Sequence, residues 1–239
     1  MASLAETSES DFLEVQSLFQ RTGGFGPTNH ILVWVTNQIV APGGGHEFGY
    51  APVDRKSQIS ISASITNPDA AKWTLVAELA EIFMSYQSQL NQGKWNPQDS
   101  KGEALSCLIA ELLYPNAAGD RVSNWLNDES HPVFTPEHTL DHYAGHNWID
   151  VTEPTDANWI SFGCGLLFMY WLNTVEHYDF AQVIAAKGST FAELYSNLTG
   201  GESDAWLRFK DAVDNLFPES SNPSFVWKGT NNIFLPGAH

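Results

Sequence analysis

The stretch that begins at Asn67 limits the fold more than any other part of the chain. Asn67 is a strong N-cap, Pro68 suits the first helical position, and Asp69 sits where the helix dipole favours an anion, so a helix starts here. Its apolar residues do not form one stripe. Trp73, Val76, Ala77, Ala80, Phe83 and Met84 make one face, while Leu75, Leu79, Ile82 and Leu90 make a second. A helix that is apolar nearly all round must be covered on all sides, so it is expected at the centre, ending before Gly93. Two carboxylates, Glu78 and Glu81, interrupt this surface, separated by about 60° around the axis. A buried carboxylate is costly unless it is hydrogen-bonded, paired or facing a cation, so both positions need a chemical reason.

The segments around this helix divide the chain into three parts. Residues 1–66 give one helical candidate, 11–19, a glycine-rich turn at 22–27, and two strands. Residues 31–39 (ILVWVTNQI) are rich in β-branched and aromatic types, and 58–65 (QISISASI) alternate polar with Ile, the period of a half-buried strand. Between them, 41–55 with Gly43-Gly44-Gly45 reads as a long loop or an irregular hairpin. Residues 67–218 read as a helical body. After the central helix come helices at 101–113, closed by Tyr114-Pro115, at 156–175, at 180–186, at 191–198 after a Thr190/Glu193 capping box, and at 204–217 after a Ser203 cap. Shorter ones are expected near 122–126 and 136–143. Residues 219–239 form a polar tail in which 225–227 and 233–235 could add edge strands. The expected class is α+β, mostly α, with a small N-terminal antiparallel sheet followed by the helical domain.

Composition excludes several functions. With 239 residues and 43% hydrophobic content the chain can bury a large core. Its 28 acidic against 11 basic residues, a net charge of −17, repel nucleic acid and anionic lipid, so neither is an expected partner. No apolar run approaches the roughly 20 residues needed to span a bilayer, so membrane insertion is not expected and the chain reads as soluble. Cys107 and Cys164 fall inside apolar helical patterns, where buried free thiols are the usual outcome, with a bridge between them as the alternative. Localisation stays open.

Against this background one arrangement of motifs stands out. A strand is followed by a helix bearing an acidic pair, then by a helix opening Gly102-Glu103-Ala104-Leu105-Ser106, and later by the run from Phe162-Gly163-Cys164-Gly165 to Tyr170-Trp171-Leu172. The arrangement resembles a gluzincin metallopeptidase, over roughly residues 58–218. In that superfamily an H-E-x-x-H helix carries two zinc ligands and the general base, and a glutamate on the next helix is the third ligand. The resemblance implies a zincin-like helical fold, with Glu78 at the general-base position and Glu103 at the third-ligand position. It also exposes a loss. The two histidine positions hold Ala77 and Glu81. An alanine cannot ligate, and a carboxylate in place of imidazole favours a harder cation than zinc. No cofactor is therefore expected; zinc is disfavoured, and another divalent cation is the open alternative.

The expected function is that of a catalytically degenerate, metallopeptidase-like pseudoenzyme. It would act as a binding or structural module through a cleft lined by Glu78, Glu81 and Glu103, with an unidentified small molecule or protein as partner. Crowded carboxylates should then have raised pKa values. His46, whose loop joins two strands of the same sheet, and Tyr170 join these as candidate binding residues. His138, His142 and His146 recur every four residues around Asp141 and form a weak alternative metal stripe. One rival is a hydrolase of altered chemistry using Glu78 as general base with Glu81, Glu103 and an imidazole from His46 or His142. Another is an aromatic-surface interaction or carbohydrate-binding protein, suggested by nine tryptophans, among them Trp95, Trp125, Trp148 and Trp159, although most lie in helical apolar patterns and read as core. No nucleophile elbow and no phosphate-binding glycine loop is present.

Overall fold

The computed structural model describes residues 2–20, 31–39, 43–47, 57–89, 95–115, 119–126 and 147–216. The class is α+β, mostly helical, with a small sheet near the N-terminus and helices after it. Helix α1 (Ala2–Leu18) starts earlier than the 11–19 segment. Its Phe12, and Phe19 just after the helix, meet Phe83 at ring separations of 5.6 and 5.3 Å, and its buried Asp11 accepts a 2.6 Å hydrogen bond from the Tyr114 hydroxyl.

The strands are β1 (Leu32–Thr36), β2 (Gly44–Glu47) and β3 (Gln58–Ser62), in the order β1-β3-β2. Only β2–β3 is antiparallel, with Gly44 opposite Ile61 and Glu47 opposite Gln58. The β1–β3 pair is parallel, Leu32 to Gln58 through Thr36 to Ser62, which corrects the expectation of an antiparallel sheet. The cause is β2. It lies in the segment between the two predicted strands and takes the far edge, so β3 returns between its neighbours after a second reversal and runs with β1. The alternation in β3 is as expected, with Ile59 and Ile61 both buried.

Helix α2 (Pro68–Gln89) begins where Asn67 predicts, the Asn67 side chain accepting from the Asp69 amide at 2.9 Å. Both of its apolar faces are covered: Val76, Ala80, Ile82, Phe83 and Met84 are inaccessible to solvent. Helix α3 (Ser100–Leu113), capped by Asp99, packs along α2, and α5 (Trp159–Thr174) packs on α3. Twelve consecutive α5 residues, Ser161 to Leu172, are buried, so this helix is a second all-round apolar rod. It starts three residues later than the expected 156–175, with Asn158 as its N-cap.

Helix α4 (Gly119–Leu126) crosses α5 at Gly163, where a Cβ would lie 2.0 Å from the Arg121 carbonyl oxygen; only glycine lets the two backbones approach this closely. Helices α6 (Phe180–Ala185), α7 (Phe191–Thr199) and α8 (Ala205–Leu216) close the far side. There Phe168, Trp171, Phe191 and Phe209 form a ring cluster. A complete capping box occurs at Asp179/Gln182. At α7 the Thr190 side chain caps as predicted, accepting from the Glu193 amide, and the Glu193 carboxylate accepts from the Ser189 amide and hydroxyl. Cys107 and Cys164 are both buried and free. Among the described residues no helix is long and apolar enough to cross a membrane.

Candidate functional site

Packing β2 and α2 against α3 and α4 leaves an open cleft of about 710 Å³. Three carboxylates line it, Glu78 and Glu81 from α2 and Glu103 from the first turn of α3. The sequence-predicted acidic trio therefore shares one cavity. Ala77 also lines it and presents only a methyl group there.

The wall opposite α2 is backbone. Gly43, Gly44 and Gly45 line the cleft, and a Cβ on Gly44 would stand 2.7 Å from both Glu78 Oε1 and Thr74 Cγ2. A side chain at Gly44 would fill the space beside Glu78, so the glycine there keeps this part of the cleft open. His46 belongs to the same strand, its backbone opposite Ile59, while its side chain lies outside the described residues.

Glu81 is 7% exposed, and its carboxyl and that of Glu103 are hydrogen-bonded to each other. Two carboxylates can make that bond only if one holds a proton. Desolvation by burial, followed by the Glu81 charge and the shared hydrogen bond, pushes Glu103 from its ordinary value of 4.5 up to about 8, against an opposing pull from the Arg121 guanidinium. Glu103 thus carries its proton at neutral pH. It also accepts from the Ser106 hydroxyl at 3.4 Å and from the Cys107 thiol at 3.5 Å, and burial pushes that thiol well above its usual value. Cys107 is therefore a neutral donor to the carboxyl and no nucleophile.

Sequence reasoning missed three groups. Arg121 lines the cleft with its guanidinium carbon 4.8 Å from the Trp73 ring centroid and 5.8 Å from that of Trp159. Among the described residues its buried Nε has no hydrogen-bond partner. Trp73 is buried and donates from Nε1 to Glu111 at 3.2 Å, fixing the ring on which Arg121 rests. Trp159 lines the cleft and is 58% exposed, unlike the packed apolar positions expected of its helix, because as the first residue of α5 it precedes the packed stretch. Trp95 and Trp125 are core as predicted. No local signal in the α4 sequence marks Arg121; its position depends on the Gly163 crossing.

Tyr170 is not brought to the cleft. It is 6% exposed within α5, where burial pushes its phenol up. His138, His142 and His146 lie outside the described residues. Among the described residues no group of three or more His, Cys, Asp or Glu side chains is arranged to hold a metal ion. No family model matches the chain, and neither a curated protein nor a solved structure is significantly similar to it.

Proposed function

We propose that this chain is a catalytically degenerate, metallopeptidase-like protein that uses its carboxylate-lined cleft to bind a polar ligand carrying a cationic group. The observation that carries this reading is the convergence of Glu78, Glu81 and Glu103 on one open cavity in which two of the carboxyls share a proton. The residues present do not fit a zinc ion. Ala77 offers no donor, and a pair holding one proton between two carboxyls is a poor match for a metal that prefers nitrogen and sulfur. The cavity, at about 710 Å³ and walled by Trp73 and Trp159, is sized for an organic ligand rather than a bare ion. A cationic group entering beside Glu81 takes the place of the shared proton, and aromatic walls favour cations. Arg121 stands ready for an acceptor on the same ligand.

Isothermal titration with lysinamide, with calcium in parallel, tests this reading. Binding heat that depends on the ionisation enthalpy of the buffer, and that disappears in the Glu78→Gln/Glu81→Gln variant, is the expected result. Equal heats from both proteins would remove the cleft from the account. A second reading, a hydrolase of altered chemistry, draws support from the protonated Glu103, which could serve as general acid with Glu78 as base. It predicts turnover of a chromogenic amide or glycoside that is lost in Glu78→Gln.

A further inference from the structure

The cleft is lined by charge of both signs, and the setting of its guanidinium says more about what it takes up. Among the described residues that line it, Arg121 is the one cation beside four acidic side chains, Glu78, Glu81, Glu103 and Asp156. Arg121 is held at both ends. Its backbone lies at the close crossing of α4 on α5, against Gly163, and its head group lies over the rings of Trp73 and Trp159, with Trp73 fixed in turn by its bond to Glu111. The guanidinium acts on Glu103 through its charge, and among the described residues it makes no hydrogen bond or ion pair. A donor group set in place in this way loses less freedom when it binds an acceptor.

A guanidinium has five N–H donors and no acceptor, and its planar fork matches the two oxygens of a carboxylate. The surrounding charge decides what kind of anion can enter. A phosphate, or a carboxylate alone, would meet four acidic side chains for one cation. A carboxylate that arrives with its own ammonium group brings no net charge. Its oxygens meet the guanidinium while its ammonium group meets the acidic side chains, so both signs are answered within one cavity. At about 710 Å³ the cleft has room for both groups and for a side chain.

We propose, on the reading that the cleft binds a cationic group, that its ligand is an amino-acid-like zwitterion, the carboxylate held by Arg121 and the ammonium group by Glu78 and Glu81.

Isothermal titration of the full chain with lysine and with lysinamide at pH 7 tests this, since the two probes differ in structure only by carboxylate against amide. Lysine carries one more negative charge, so the net charge of −17 acts against it, and a preference for lysine requires a local cation. Wild type should bind lysine about tenfold more tightly than lysinamide, the scale of a charge-assisted hydrogen bond. In Arg121→Gln that preference should vanish or invert; Arg121→Met is read in the same way if the first variant does not fold. Lysinamide bound as tightly as lysine by wild type overturns the proposal and leaves the cleft reading standing, as does a preference for lysine undiminished in a folded variant. Binding of neither probe removes that reading and the proposal together.

Discussion

Replacing Glu103 by glutamine separates charge from shape at the centre of the cleft. Glutamine has the size of a protonated glutamate and can still donate to Glu81, but it has no proton to lose. Folding raises Glu103 from 4.5 to about 8, so the folded chain holds this proton more tightly than the unfolded chain does. The sign follows from linkage: Glu103 supports the fold fully at low pH, its contribution declines as pH rises from about 4.5, and the decline ends above about 8. Between 4.5 and pH 7 the loss is 2.5 pH units at about 1.4 kcal/mol each, or roughly 3 kcal/mol, before relaxation and water entry reduce it. Glu103→Gln removes that cost. Urea unfolding should therefore show the variant about 2–3 kcal/mol more stable than wild type at pH 7 and nearly equal to it at pH 4. For a chain of this size the pH 7 gain corresponds to a melting shift of roughly 4–12 °C. A variant that is less stable at both pH values, or a difference that does not change between pH 4 and pH 7, would refute the shared-proton argument.

Other substitutions probe how the cleft is built. Gly163→Ala forces a Cβ to within 2.0 Å of the Arg121 carbonyl, so α4 must shift; a loss of about 3 kcal/mol or more in urea unfolding is expected, within the range of severe overpacking. Gly44→Val should clash with Thr74 and Glu78, cost about 1–3 kcal/mol in the same assay, and weaken any binding in the cleft. Placing two imidazoles by Ala77→His with Glu81→His creates H-E-x-x-H ahead of Glu103, and equilibrium dialysis should then find one zinc per folded chain. A folded double variant that takes up no zinc would show that α2 and α3 are not set as the family resemblance implies.

The legible parts of this protein were those governed by local rules. Asn67-Pro68-Asp69 announced α2, the double apolar face announced its central position, and helix geometry put Glu78 and Glu81 on one edge of it; that Glu103 joins them in one cavity was expected only through the resemblance. What could not be read depended on contacts distant in sequence. Gly44 to Glu47 has little strand propensity, and its pairing with β3 arises from the packing of both on α2; that pairing also decides that β1 and β3 run parallel. Arg121 reaches the carboxylates because Gly163 admits α4 against α5. Trp159 has the composition of a core residue and becomes cleft wall through its place at a helix start. The raised pKa of Glu103 was foreseeable in kind, since crowded carboxylates favour the protonated form, but its size depends first on burial, which only the packing of α2 on α3 supplies.

The central proposal is that the cleft binds through its carboxylates and does not carry out zinc-dependent peptide hydrolysis. Metal analysis by plasma mass spectrometry, on protein purified without chelator and without added metal, tests it most directly. The account predicts zinc well below one atom per chain. One zinc per chain, retained through gel filtration, would contradict it.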